Sequence, residues 1–432
     1  MLVGMIHTIF KSQSTQPQTL GLRANWQQFT LLIVINAFVG GMVGLERSVL
    51  PLLGNELFGL VSQTVVVAFL ISFGLVKAIT NLFAGRLSDQ YGRKRILIIG
   101  WLFGLPVPFL LMWAPTWNWI ILANVLLGIN QGLCWSTTVI MKIDLAGPKQ
   151  RGLAMGLNEF AGYLAVAGMA LLSGYLAAVY GLRPYPFLPG IIIVFAGLLL
   201  SLLFAQETRR LTQIESGSET NEASLPFRDL LLRSMGRDRA LFTLSQAGLV
   251  NNLNDALVWG LIPFYLATKG VSIATIGQIA AIYPAVWGLG QLATGAWSDK
   301  IGRKIFIVLG LLIQAGGIFL FIAPGGLLTW RISAVLMGLG TAAVYPTLLA
   351  AVSDVSAPSW RGSAIGVYRL WRDLGYAVGG LLTGLLVDSF GGETAVIAVG
   401  TITFISGTIV AFLLPERRPL HLPKGQSDHT HT

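Results

Sequence analysis

Apolar residues along this chain neither alternate with polar ones nor keep to one stripe of a helix; they run on, with few interruptions, for the length of a bilayer crossing. Twelve such runs are visible, at 27–53, 62–84, 96–114, 117–141, 152–180, 188–205, 241–267, 275–297, 305–323, 328–352, 362–387 and 394–414. A helix rises 1.5 Å per residue, so about 20 mostly apolar residues cross the hydrocarbon layer. Barrel strands would be about half as long and would alternate in polarity. The pattern predicts an all-α polytopic membrane protein with 12 transmembrane helices.

Composition narrows the class further. Hydrophobic residues make up 54% of the 432 positions and charged ones only 11%, against about 25% charged in a soluble domain. That balance excludes a water-soluble enzyme, a disordered chain and a disulfide-stapled module. The single cysteine, Cys134, lies inside an apolar run and has no partner to pair with. No Walker-type loop, HExxH, GxSxG or CxxC is present, so no enzyme, cofactor or metal site is expected. The histidines (His7, His421, His429 and His431) are all terminal and read as solvated.

The net charge of +10 does not point to nucleic acid, because the basic residues fall in short runs between the apolar segments. With the N-terminus placed inside, 22 of the 29 Lys and Arg collect on the cytoplasmic side and Arg183, Lys269 and Arg331 on the outer side. Such an excess places both termini in the cytoplasm of a cell whose inner or plasma membrane hosts the chain. The sizeable polar interruption, 206–239, divides six spans from six. This gives a cytoplasmic N-terminal segment (1–25), a six-helix bundle (26–205), a linker (206–239), a second bundle (240–414) and a cytoplasmic tail (415–432). Residues 211–224 read as a flexible linker, and 227–235 as a short amphipathic helix on the membrane surface. The first 25 residues lack a signal-peptide pattern. A linker of this size houses no ATPase, so transport would draw on a gradient.

The halves repeat. At an offset of 210, Gly85, Ser88, Asp89, Gly92, Arg93 and Lys94 fall on Gly295, Ser298, Asp299, Gly302, Arg303 and Lys304. The same offset carries Gly128 to Gly338, Asp144 to Asp354, Arg151 to Arg361 and Gly174 to Gly384; Pro51 falls on Pro263 at 212. One register held across several helices marks a duplicated six-helix unit.

On these residues the chain resembles the major facilitator superfamily. GRLSDQYGRKR after span 2 is similar to that family's signature loop, and GAWSDKIGRK after span 8 to its second copy. The resemblance covers about 27–414. It implies two six-helix bundles, related as parallel repeats, that rock around a central site and open alternately to each side. Beside it the residues themselves suggest gating by the loops, the alternative being a merely topological basic loop: Gly85 and Gly92 allow close packing, and Asp89 can accept hydrogen bonds at a helix N-terminus, that of span 11. Arg93 and Lys94 close a network with Asp89 and Asp354 that holds the cytoplasmic side shut. Two features depart from the drug/proton antiporter branches. Asn124 stands where they carry a buried span-4 arginine, and Gly162 to Gly168 in span 5 lacks their proline.

Ionisable groups within a span are expensive and therefore candidates for function. They are Glu46, Arg47, Lys77, Glu159, Asp255, Arg369, Arg372 and Asp373. Lys77 lies twelve residues before Asp89 and Asp373 twelve after Arg361, each about 18 Å up its helix. Spans 2 and 11 face each other in the resembled fold, so an inter-bundle ion pair is expected there, with Trp287 and Tyr163 at the duplicated seam. Nearer the cytoplasm, Glu159 and Arg369 are duplication partners facing Gln291 and Asn81. Alternatively Arg369 and Asp373, at i and i+4, neutralise each other. Arg372 then stays unpaired as a contact for an anionic or polar substrate. Asn251, Asp255 and Trp259 share a face of span 7, and Asn36 and Arg47 a stripe of span 1 with Glu46 beside it; helix-to-helix bonding by the Asn residues is the structural alternative.

The expected function is secondary transport of a small solute by alternating access, as proton-coupled efflux by a monomer. Asp255, Asp373 and Glu159 are the candidate proton carriers. The alternatives are proton-coupled or facilitative uptake of an organic solute or chelated metal, and a transport-dead receptor or scaffold.

Overall fold

The computed structural model describes residues 20–146, 150–209, 225–356 and 360–415. The N-terminal segment before residue 20, linker residues 210–224 and the histidine-bearing tail lie outside the described residues, as does the side chain of Arg151. Among the described residues the chain is helical without strands, and ten helices are long and apolar enough to cross a membrane.

In chain order the long helices are α1 (Trp26–Arg47, resumed as Leu50–Glu56), α2 (Gln63–Val66, continued as Ala68–Tyr91), α3 (Arg93–Gly104 and Val107–Trp113), α4 (Trp117–Ala146), α5 (Arg151–Tyr180) and α6 (Leu188–Leu203). The second set is α7 (Arg239–Ala256, continued through Leu257–Leu261 to Ile262–Thr268), α8 (Ile273–Ile301), α9 (Arg303–Phe321), α10 (Gly326–Val355), α11 (Arg361–Phe390) and α12 (Gly392–Leu413). α7 and α11 fall short of the apolarity of the other ten. The reason is their cargo: α7 carries Asn251, Asn252, Asn254 and Asp255, and α11 carries Arg369, Arg372 and Asp373. Both are packed against other helices, so their polar groups face protein.

The packing repeats as the sequence does. α1 lies on α5, α2 on α4 and α3 on α4; correspondingly α7 lies on α11, α8 on α10 and α9 on α10. The broadest contacts between the sets are α5 with α8 and α2 with α11; α1 and α7 also touch, through Leu50–Glu56 against Leu257–Leu261 and Ile262–Thr268. Large apolar side chains such as Ile192, Leu328 and Phe412 stay exposed on the outside of the bundle, which suits a lipid surround.

Two prolines shape the helices that line the centre. Pro51 has no N–H to offer the carbonyl of Arg47, and its ring crowds that turn; α1 accordingly breaks after Arg47 and resumes at Leu50. Pro263 deprives Trp259 in the same way, and α7 widens into a π-helical turn over Leu257–Leu261. The loops after α2 and α8 each turn on a glycine with positive φ, Gly92 (96°) and Gly302 (117°), a conformation only glycine adopts without strain. These two turns lie at what is here called the basic end of the molecule.

At the opposite end the two broadest inter-set contacts close to backbone distance. A Cβ on Gly174 of α5 would lie 2.7 Å from the Cα of Gly277 in α8, and one on Gly384 of α11 2.6 Å from the Cα of Thr64 in α2. Asp388 reinforces the second seam, accepting hydrogen bonds from Ser62 Oγ (2.6 Å) and from the backbone N–H of Gln63 (2.6 Å) and Thr64 (3.1 Å). At the basic end a cavity of about 470 Å3 opens between α5, α8, α10 and α11, with Glu159, Gln291, Asp299, Arg303 and Tyr345 in its wall. The molecule is open at the basic end and shut at the other.

The amphipathic segment expected at 227–235 is helical over Phe227–Leu232 and then turns through Arg233–Arg237, with Gly236 at φ 133°.

Candidate functional site

The ionisable groups collect in two layers. The layer nearer the basic end is built by α2, α4, α5, α10 and α11. Glu159, 7% exposed on the cavity wall, accepts hydrogen bonds from Trp135 Nε1 (2.8 Å), Asn158 Nδ2 (3.0 Å) and the Tyr345 hydroxyl (3.0 Å). Gln291 shares that wall, and neither of its amide atoms has a partner. Arg372 donates to Asn252 Oδ1 (3.3 Å) and to the Tyr163 hydroxyl (3.3 Å), lies 4.3 Å from the Tyr345 ring centre, and has Asp373 at 3.7 Å. Asp373 in turn accepts from Asn81 Nδ2, whose Oδ1 accepts from Ser136 (2.7 Å).

These contacts correct three expectations. Lys77 makes no ion pair with Asp373. Its ammonium instead lies among the rings of Phe73 (5.5 Å), Tyr376 (5.4 Å) and Trp135 (5.9 Å), and Asp373 is bonded to Asn81 in the next turn of α2. Arg369 does not neutralise Asp373, because a helix places i and i+4 side by side yet leaves each rotamer free to find a better partner, here Asn81 and Arg372. Arg372 is therefore not unpaired. At the duplicated seam, Trp287 and Tyr163 do meet, stacked with ring centres 3.5 Å apart.

The second layer is sealed beneath the closed end. Asp255 is fully buried; one carboxylate oxygen accepts from the Tyr283 hydroxyl, the other has no hydrogen-bond partner, and no cation pairs with it among the described residues. Tyr283 continues to Thr341 (3.0 Å) and Thr341 to Gln314 (2.6 Å). On α1, Glu46 accepts from Asn124 Nδ2 (3.1 Å) and has Arg47 at 3.5 Å. Asn124 thus supports a carboxylate from the span-4 position where the antiporter branches carry an arginine. The Arg47 guanidinium lies 4.7 Å from the Phe73 ring centre and 5.0 Å from that of Trp259. Arg47 and Trp259 each stand four residues before their proline, at the duplicated offset of 212, so duplicated positions meet in the middle of the molecule.

Asn36 serves packing, donating to the Asn158 carbonyl (2.8 Å) and accepting from Thr138 (3.0 Å). Asn252 and Asn254 likewise bind neighbouring helices, through Arg372 and Thr403. Asn251 is buried with an unpartnered Oδ1 and does not bond Asp255.

The signature loops form two local networks. Arg93 donates to Asp89, Ser88 (3.0 Å) and Asp144 (3.2 Å); Arg303 donates to Asp299, Ser298 (2.6 Å) and Asp354 (3.1 Å). Asp89 is 67% exposed and pairs within its own loop, not at the start of α11, and Arg93 reaches Asp144 rather than Asp354. A Cβ on Gly85 would likewise meet nothing within 4 Å, and one on Gly295 only Pro346 at 3.9 Å. The backbone N–H groups of Arg93 and Lys94 both donate to Glu207, which caps α3 from the linker. Arg361 holds the end of α10 through the Ser353 and Ser356 carbonyls.

Lys142, one of the 22 Lys and Arg assigned above to the cytoplasmic side, lies just past the end of its span in the sequence and was not among the candidates. It is fully buried and donates to the Leu32 carbonyl (2.9 Å). Sequence reading also missed the tyrosines and tryptophans that hold the charges, since aromatics inside an apolar run carry no positional signal.

A family profile described as Major Facilitator Superfamily matches residues 29–252 and 244–432. An MFS-type transporter of Mycobacterium tuberculosis is 26% identical over 383 residues, covering 87% of this chain and 82% of the relative. Multidrug resistance protein MdtG of Proteus mirabilis is 23% identical, covering 91% and 98%. Among solved structures, a D-xylose–proton symporter superposes with TM-score 0.70 at 17% identity (90% and 98% covered), and a POT family transporter in complex with a thioalcohol-conjugated peptide with TM-score 0.72 at 13% identity (89% and 95% covered).

Proposed function

The chain belongs to the Major Facilitator Superfamily, and on that footing we propose that it exports a small solute in exchange for protons. It is a multi-pass membrane transporter and not an enzyme. The basic end faces the cytoplasm, both termini with it, in the plasma or inner membrane, and a single chain suffices as the working unit. The two six-helix sets rock about the seams α5–α8 and α2–α11, and the present form, open at the basic end, is the one that loads from the cytoplasm.

The observation that carries the proton-coupled reading is Asp255. A carboxylate deep in the bilayer without a cation costs several kcal/mol, and here one oxygen is held by Tyr283 while the other is buried with no hydrogen-bond partner among the described residues. A proton taken up from the outside removes that charge while the sets rock, and release to the cytoplasm restores it. Glu159 stands on the cavity wall, where protons leave and solute enters. Efflux is favoured by the relatives named for multidrug resistance.

The test is solute movement in proteoliposomes with an imposed pH gradient, compared with counterflow of labelled solute without one. Asp255→Asn is expected to abolish gradient-driven accumulation and keep counterflow. Gradient-driven transport undiminished in that variant removes Asp255 from the coupling. Absence of both activities for a solute that binds the wild-type protein favours a receptor or scaffold.

A further inference from the structure

We propose that Arg47 anchors the anionic group of the transported solute, and that the solute is an organic carboxylate with a flat, apolar body. The proposal rests on the transport reading above and names the substrate class for the same central site.

The argument starts from hydrogen bonds that the protein does not make. A guanidinium is permanently charged and carries five N–H donors in a fixed fork. Buried, such a group normally finds carboxylates or carbonyls for most of them, because each unmet donor costs about 1–3 kcal/mol and more when charged. Arg47 is 0% exposed, yet Nε, Nη1 and Nη2 all lack a hydrogen-bond partner among the described residues. The other buried arginines are served: Arg372 by Asn252 and Tyr163, and Arg93 by Ser88, Asp89 and Asp144. Glu46 balances the charge of Arg47 at 3.5 Å without making a hydrogen bond to it, its Oε2 being held by Asn124.

The surroundings say what would fit. Phe73 and Trp259 flank the guanidinium, and Tyr376 packs against both rings, edge-on to Phe73 (5.6 Å) and stacked on Trp259 (5.9 Å). The fork thus sits in an aromatic box that offers apolar area and few competing acceptors. A carboxylate matches the fork with two parallel N–H···O bonds, and a planar body matches the rings. The Trp259 indole N–H is also buried without a partner, a further donor for the same anion. The break after Arg47 at Pro51 and the π-helical turn at Trp259 place the pair on the two segments of α1 and α7 least held by their own backbone bonds. Both can therefore shift when the closed end opens.

The test uses full-length protein in lipid nanodiscs and three probes of one shape: benzoate, benzamide and benzylammonium. Benzoate is expected to raise the unfolding temperature saturably and to quench tryptophan emission, the other two to do neither. Arg47→Gln is expected to weaken benzoate by about tenfold or more and Arg47→Lys by less, since an ammonium keeps the charge but not the fork; Arg372→Gln should leave it unchanged. Should Arg47→Gln fail to fold, the Glu46→Gln/Arg47→Gln double variant removes both charges together and replaces it. No saturable benzoate response, equal binding of benzamide, or loss of benzoate through Arg372→Gln alone overturns the proposal. A protein that binds benzoate through Arg47 but moves no solute on a pH gradient upholds the anion site and sinks proton-coupled efflux instead.

Discussion

Tyr163 of α5 and Trp287 of α8 stack with their ring centres 3.5 Å apart across one seam, and they occupy the duplicated positions of Asp373 and Lys77 at the other. One seam is therefore held by aromatic area, and its counterpart by a carboxylate on Asn81 and an ammonium among rings. Truncating a buried tryptophan costs about 3–5 kcal/mol. Trp287→Ala should destabilise the protein by that order in equilibrium unfolding. Tyr163→Phe, which keeps the stack and loses only the bond from Arg372, should cost about 1 kcal/mol. Equal losses for the two would mean that the hydroxyl, not the stacking, holds the seam.

The twin networks of the signature loops should differ in strength although their geometry is shared. Arg93 and Asp144 are nearly buried, at 5% and 4% side-chain exposure, whereas Arg303 and Asp354 are 23% and 50% exposed. Removing one partner of a buried pair costs about 3–5 kcal/mol; a water-exposed pair is worth about 0–1. Arg93→Ala should therefore lower stability severely, and Arg303→Ala hardly at all. Matching unfolding midpoints would show that burial does not govern these loops.

Asp388 makes the closed end respond to acid. Its partial burial disfavours the charge, but hydrogen bonds from Ser62, Thr64 and Gln63 outweigh that and hold the carboxyl below the ordinary aspartate range. The folded value is the depressed one. The bond set is thus present in full above the usual value of about 3.9 and is lost as pH falls through the lowered folded value. A cysteine at Gln63, a nearly buried site beside the latch, should react with an impermeant maleimide slowly at neutral pH relative to a fully exposed reference cysteine, which cancels the thiol's own titration, and that ratio should rise in acid. Asp388→Asn should give the high ratio at every pH. The native Cys134 is buried and adds little background. A labelling ratio in the variant that still depends on pH as in the wild type would assign the response elsewhere.

The glycines of the closed end allow backbone contact, so a side chain there should force the end open. Gly174→Leu and Gly384→Leu should each raise labelling of the same cysteine severalfold, whereas Gly156→Leu, where a Cβ meets nothing within 4 Å, should not. Unchanged labelling in both variants would mean that the seams close by other contacts.

The fold was legible because lipid imposes long apolar runs, and because one 210-residue register joins Asp89 to Asp299 and Asp144 to Asp354. The charged positions were legible for the same reason: they are the exceptions within those runs. Pairings were not. Whether Lys77 meets Asp373 depends on helix rotation and on which end of the molecule is open, and neither leaves a trace in spacing. Lys142 was lost because the last turn of a span looks the same whether its lysine reaches water or a carbonyl. Asp388 was lost because a carboxylate just past a span reads as surface until the facing helix start at Ser62 is known.

The meeting of Arg47 with Trp259 also bears on how such a centre can arise. Where two identical halves pair, a residue on the dyad faces its own copy. Two guanidiniums at this spot would repel, and two indoles would leave no charge. Setting one guanidinium against one indole at this spot requires the halves to differ at one position. Joining both in one polypeptide permits that difference; a homodimer encoded by one reading frame cannot have it.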